Sequence, residues 1–303
     1  MALRFEIVHF AVKNYTKEKM KNMKDNEELL KMLRKEGYDI DRILDLDDTF
    51  NFKCQRCGSC CKKRGDILIE PFDVYIGSKH LGIEPIDFLE KCNFFPGGQS
   101  KIPIFSLGTN KNGWCHFLEY DKKTGLYSCA LGKDKPKVCY NHPVGVMQNS
   151  KEKIEKYFIV DTCDNSQKEK QEWAVRDWIA PTLKYNAEYE ISRKLRVLVL
   201  EYLDPKKIDL FSEIINGAFS YTIIKRDFDE LFSAYLSTFY MLFSNYDTSK
   251  PFIEQAEENI KTVTEAYKTI AKHFGCFERS FEEVLQTKGI NLNELYKRVL
   301  GEK

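Results

Sequence analysis

The sequence has no surplus of charge: 47 basic residues stand against 46 acidic ones, a net of +1. A chain that wraps polyphosphate carries a basic excess or a concentrated basic face, so bulk nucleic-acid binding is not indicated. An apolar run of membrane-spanning length is also missing. The uncharged stretch from Leu231 to Asn245 is shorter than the ~20 residues a spanning helix needs, and Ser233, Ser237, Thr238 and Ser244 interrupt it. The opening residues, Met1-Ala2-Leu3-Arg4-Phe5-Glu6, mix charge with apolar positions and form no signal-peptide core. The expectation is a soluble cytoplasmic protein with neither nucleic acid nor membrane as partner, in a reducing compartment where disulfides are an uncommon use of cysteine. There is no Walker phosphate loop, Gly-x-Gly-x-x-Gly, Gly-x-Ser-x-Gly or His-Glu-x-x-His. Nucleotide hydrolysis, Rossmann redox chemistry and serine hydrolysis therefore have no motif behind them.

What is present is enough apolar material for a core and an uneven distribution of thiols. Hydrophobic residues make up 43% and aromatic residues 13% of 303 residues, too apolar for a disordered chain. Of the ten cysteines, eight lie between Cys54 and Cys139, Cys163 follows, and Cys276 stands alone far downstream. The asymmetry divides the chain into an N-terminal strand and helix arm (1–49), a cysteine-cluster region (50–166) and a helical region (167–303). The expected fold class is α+β: a small, loop-rich, metal-bound domain with short strands, joined to an all-helical C-terminal domain.

Within the arm, Leu3 to Val12 reads as a strand and Thr16 to Lys35 as a Lys/Glu-rich helix ended by Gly37. The cysteine region is turn-dense, with strand-like Ile67-Leu68-Ile69 and helices expected near Pro71 or Asp73 to Leu81 and from about Pro85 to Cys92. Such a region suggests metal ligation in place of a core. After Ser166 the pattern is helical. Ile253, Ala256, Ile260, Val263, Tyr267, Ile270 and Phe274 mark one face of a helix entered at Pro251 and left at Gly275. A helix between Asp227 and Tyr246 is apolar on most faces, Ser280 opens a capping box, and Asn291 to Leu300 forms a last short helix.

The central motif is Cys54-Gln55-Arg56-Cys57-Gly58-Ser59-Cys60-Cys61. Two cysteines separated by two residues can aim both sulfurs at one ion across a tight turn, and Gly58 allows backbone N–H groups close to them. Crowded cytosolic thiolates oxidise and exchange unless they are ligated, which favours metal binding over four inert thiols. Farther along come Trp114-Cys115-His116-Phe117-Leu118, then Cys129, then Lys135-Pro136-Lys137-Val138-Cys139-Tyr140-Asn141-His142-Pro143, then Cys163.

On these residues, roughly 50 to 170 resemble the YkgJ-like cysteine-cluster (CxxCxxCC) proteins, described as zinc- or iron-chelating. The first block matches completely. Ile67–Ile69 with Asp73, Cys115-His116-Phe117-Leu118, the Cys129 to Pro136-x-x-Cys139 spacing and Pro143 follow in order. Lys135 replaces the family arginine, His142 stands where an aromatic is usual, and Asp164-Asn165 replaces a glycine-containing turn after Cys163. A weaker similarity, carried by the cysteines alone, links the chain to flagellin lysine N-methylases. That similarity implies modification of a protein or peptide with S-adenosylmethionine as donor, at iron with an open coordination position.

The candidate metal ligands are Cys54, Cys57, Cys60, Cys61, Cys115, Cys129, Cys139 and Cys163. They suffice for two four-thiolate sites or for one iron–sulfur cluster with thiols to spare. Adjacent Cys60 and Cys61 are expected to point apart and to serve different metals, or a metal and the core, rather than to chelate one ion together. A Cys-x-x-Cys-x-x-Cys run also occurs in bacterial ferredoxins, which favours an iron–sulfur cluster of the 4Fe–4S type, with zinc as the alternative. The competing class is a noncatalytic protein with closed zinc sites and a helical interaction surface.

The remaining residues have plainer readings beside the chemical ones. His116 and His142 are ligands or acid–base groups on one reading and surface donors on the commoner one. Cys92 and Cys276 read as small buried hydrophobes. Asp73 reads as a helix cap, Trp173 and Trp178 as packing, and Arg56, Lys62, Lys63 and Arg64 as either charge balance for thiolates or a solvated turn.

Overall fold

The computed structural model describes residues 26–35, 40, 42–62, 67–97, 102–149, 154–159, 171–198, 233–234 and 237–274. Outside the described residues lie the strand expected over 3–12, the first half of the first helix with Gly37, Cys163, Cys276, and the helices expected after Ser280 and Asn291. The described chain mixes helices with short strands, an α+β arrangement. No helix among the described residues is long and apolar enough to cross a membrane.

After helix α1 (Asn26–Lys35), the strands among the described residues form four small antiparallel sheets. Strand β1 (Ile43–Leu44) lies against β8 (Ile154–Ile159), which forms a hairpin with β7 (Val144–Asn149). Strand β2 (Thr49–Asn51) pairs with β9 (Glu172–Ala174), Thr49 opposite Ala174 and Asn51 opposite Glu172. The third sheet is the hairpin β3 (Cys92–Gly97) with β4 (Ile102–Leu107), and the fourth is β5 (Leu118–Asp121) with β6 (Leu126–Cys129). Strand β9 falls in the stretch expected to be wholly helical. Three residues are too few for a period to show, and the strand is held by a distant partner and by Trp173, whose Nε1 donates to Phe52 O at 3.1 Å.

Helix α2 (Pro71–Leu81) starts at its proline because Asp73 Oδ2 accepts the Glu70 N–H at 2.8 Å, and it stops at Gly82, left-handed at φ 66°. Helix α3 (Pro85–Leu89) is shorter than expected, since Cys92 already belongs to β3. Ile67–Ile69 is extended but pairs only through Leu68 opposite Ser106, with Ile69 N donating to Phe105 O and Leu107 N to Ile67 O. The chain closes with α4 (Lys137–Asn141), α5 (Val175–Leu183), α6 (Asn186–Val197), a helical stretch over 237–244 and α7 (Phe252–Phe274).

The expectation that metal replaces a core in the cysteine region is corrected. Ile69, Phe72, Val74, Phe88, Phe105, Phe117 and Leu131 are buried in one cluster that also contains Leu195, Phe239, Leu242, Phe243, Ala256 and Val263. The short strands bury little among themselves; the later helices supply the opposite half. Phe105 shows the junction, stacked on Phe239 at 6.0 Å and tilted against Phe243 at 4.8 Å. A second cluster joins Leu44, Phe50, Phe52, Val144, Tyr157, Val175 and Ile179, with Trp173 and Trp178 packed on it. Helix α7 turns the expected face inward, where Ala256, Val263, Tyr267 and Ile270 are buried. Asn259 shares that face because Asn245 satisfies it, donating to its Oδ1 at 2.7 Å and accepting from its Nδ2 at 3.0 Å.

Gly77 tests how tightly this core is packed. A Cβ there would stand 2.5 Å from Phe88 Cε2, and the Phe88 ring is fully buried and stacked on Phe117 at 4.9 Å. Gly77→Ala should therefore lower stability by about 1–3 kcal/mol in denaturant unfolding, although alanine gains ~1 kcal/mol of helix propensity. A more stable Gly77→Ala chain would show the contact to be yielding.

Candidate metal centre

The 54–61 block is an irregular loop that ends in a 3-10 turn over Ser59–Cys61. Arg56 and Gly58 both adopt positive φ, 51° and 73°. Gly58 is required less for access to sulfur than for the Tyr127 ring, whose Cγ lies 3.0 Å from where a Cβ would be. Backbone bonds then sew the loop to two distant segments. Tyr127 N donates to Arg56 O at 2.8 Å, Cys115 N donates to Cys61 O at 2.9 Å, and Lys62 bridges Trp114. Ala130 N donates to Phe117 O at 2.8 Å and joins those two segments to each other. Cys139 comes from α4, which begins after Pro136.

These connections gather some of the expected ligands and leave others apart. The Cys60 and Cys61 sulfurs do not diverge; they lie 3.8 Å from each other. Cys61 is raised far above the ordinary thiol range by its hydrogen bond with Cys60, by burial, and by the nearby sulfurs of Cys60, Cys139 and Cys115. Burial raises Cys115, with Cys129 and Cys60 adding to it. Burial likewise raises Cys129, and Lys135 opposes the shift. Cys139 goes well up through burial and the charges of Cys129 and Cys115. Cys60, Cys61, Cys115, Cys129 and Cys139 thus form one electrostatically connected group.

Cys57 faces another way. It packs against the second core cluster, and its Sγ donates to Ser59 Oγ at 3.2 Å. Cys54 is exposed. Cys163 lies outside the described residues, so its place relative to the group is not described. His116 is exposed, and His142 rests edge-on to Phe52 at 6.0 Å. Cys92, read above as a plain hydrophobe, is pushed up to about 12 by burial and by the neighbouring Cys115, which puts it at the border of the group. Its position inside the dense cysteine stretch was the available signal. Among the described residues, no three or more His, Cys, Asp or Glu side chains close on a single point as a bound ion requires. The group therefore fits a metal by donor chemistry and by the Cys60–Cys61 pair, without forming a closed shell.

Residues 53–164 match the CxxCxxCC family model. The family's description is "Putative zinc- or iron-chelating domain", and the match spans just over a third of the chain. No curated protein and no solved structure matches. The CxxCxxCC match contains all the proposed ligands from Cys54 to Cys163 and ends before α5.

Asp73 also lies within the match and does more than cap a helix. Besides the Glu70 N–H, its carboxyl accepts the Tyr189 hydroxyl at 2.6 Å and the Lys137 N–H at 3.2 Å. Lys137 opens the helix that carries Cys139, and Tyr189 belongs to α6. Nothing in the sequence shows that partner 116 residues away.

Burial raises the Asp73 carboxyl to about 6, against the pull of Tyr189 and the two backbone donors. The folded value lies above the unfolded one, so the carboxyl's contribution to stability is whole below about pH 4 and lost as pH rises through about 6. Tyr189→Phe removes a donor that favours the ionised form. It should cost about 1–3 kcal/mol at neutral pH and move the decline to higher pH. Unfolding curves at pH 5 and pH 7 that overlay wild type would refute this linkage.

Proposed function

We propose that the chain is a metal-binding protein whose buried thiols hold one thiophilic ion, zinc or a single iron, with Cys60 and Cys61 as paired donors. The carrying observation is the 3.8 Å between their sulfurs. A tetrahedral site with metal–sulfur bonds of ~2.3 Å has a sulfur–sulfur edge of about 3.8 Å. Two thiolates on one ion suit zinc, mononuclear iron or a 2Fe–2S centre. A 4Fe–4S cubane takes one thiolate per iron, and its ligand sulfurs stand farther apart.

Burial supports the reading from a second side. A buried thiol whose deprotonation is disfavoured stays protonated at neutral pH and is a poor nucleophile. A cation of two positive charges reverses that balance, so binding drives the protons off. The remaining donors would come from Cys115, Cys129 and Cys139, which share the electrostatic group of the pair. Five thiols for four positions allow full closure, and a closed shell favours holding a metal over activating a substrate. The peptide-modifying activity implied by the methylase similarity would instead need one position left open.

Metal analysis of the full-length chain purified without oxygen tests this. We expect about one equivalent of zinc or iron per chain, release of protons on zinc uptake, and affinity that rises with pH across the neutral range. Cys61→Ser should weaken zinc binding by at least about tenfold in chelator competition, while Cys276→Ser should be nearly silent. Absence of stoichiometric metal, or full retention in Cys60→Ser and Cys61→Ser, would overturn the proposal. Four irons with four sulfides would overturn the pairing.

A further inference from the structure

We propose that Lys62 is a positioning residue of this site, its ammonium locking the thiol loop onto the two segments that carry Cys115 and Cys129; the inference rests on the metal-binding reading above. Lys62 follows Cys61 directly, and its side chain turns between two aromatic rings. Its Nζ lies 4.0 Å from the centroid of Tyr127 and 4.8 Å from that of Trp114. The rings stand at 83° to one another with centroids 6.0 Å apart, so they form a corner around the ammonium. The third side is the loop itself, where Nζ donates to Cys57 O at 3.4 Å.

Each contact ends beside a thiol. Trp114 immediately precedes Cys115, and Tyr127 stands two residues before Cys129. The backbone repeats the connections through the Lys62–Trp114 bridge and the paired bonds between Arg56 and Tyr127, with Arg56 Nε donating to Tyr127 O at 3.0 Å. A half-buried cation between ring faces is held more firmly than a solvated one. Its charge is held at the carbonyl of Cys57, within the loop that carries the paired thiols. A solvated basic turn, the plainer account of this lysine, explains neither the ring corner nor the carbonyl contact.

The roles of charge and packing are separable in the full-length chain. Lys62→Met keeps the length of the stem and removes the charge, whereas Lys62→Arg keeps a cation that stacks on aromatic rings. With zinc as the probe in chelator competition, Lys62→Met should bind about tenfold more weakly and release metal faster. Lys62→Arg should stay within about twofold of wild type. The thiolate-to-metal absorption of cobalt(II)-substituted Lys62→Met should shift from wild type, with Lys62→Arg restoring it. Combining Lys62→Met with Trp114→Leu should cost less than the sum of the separate losses. Lys62→Gln serves as a second neutral variant. Wild-type affinity in both neutral variants, or a Lys62→Arg chain as weak as Lys62→Met, would overturn the proposal while leaving the metal-binding reading intact. A wild-type chain that takes up no zinc, cobalt or iron would overturn both.

Discussion

The carboxyl of Asp73 is the point on which the arrangement of segments depends. One buried side chain accepts the N–H of Glu70 just before the second helix, the first N–H of the helix bearing Cys139, and the hydroxyl of Tyr189 from a helix beyond the cysteine region. Removing a carboxyl from water is costly, and only a complete set of donors makes it tolerable. The geometry around it is correspondingly constrained. Neighbouring contacts repeat the attachment: Phe72 N donates to Ser192 Oγ at 3.0 Å, and Arg196 pairs with Glu70 at 3.1 Å. The placement of Cys139 is therefore tied to the C-terminal helices.

The thiols obey the opposite logic. Asp73 meets its partners within the folded chain, whereas Cys61 is raised first by its hydrogen bond with Cys60 and Cys115, Cys129 and Cys139 first by burial, with neighbouring sulfurs adding to Cys61, Cys115 and Cys139. Lys135 opposes the shift at Cys129 and Cys139. On the metal-binding proposal, these thiols are the protonated donors of a site whose charge arrives with its ligand.

Much of the architecture was legible in sequence because it rests on local chemistry. The start of the second helix at Pro71, its stop at Gly82 and the inward face of the last helix follow from capping and period. The cysteine stretch was legible as one block from its spacing, and the CxxCxxCC match covers it from 53 to 164. What escaped depends on distant partners. The Glu172–Ala174 strand exists through Thr49–Asn51, and the core of the cysteine region exists through Phe239 and its neighbours. The expected divergence of Cys60 and Cys61 failed for a related reason. Adjacent side chains separate in an extended strand, but the 3-10 turn over Ser59–Cys61, reached through left-handed Gly58, brings their sulfurs together.

The pairing of Asn51 with Glu172 has a topological consequence. The two ends of the thiol-bearing stretch meet there, so it forms a cassette, one that its strand β8 also ties to Ile43–Leu44 outside it. Its ends meet as an antiparallel pair, a geometry that lets a module be grafted into a host without stretching either. The cassette is not self-sufficient, however: lifted out, it would present Phe72 and Phe105 to water. The same helices that shelter those rings thus set the terms on which such a graft is accepted.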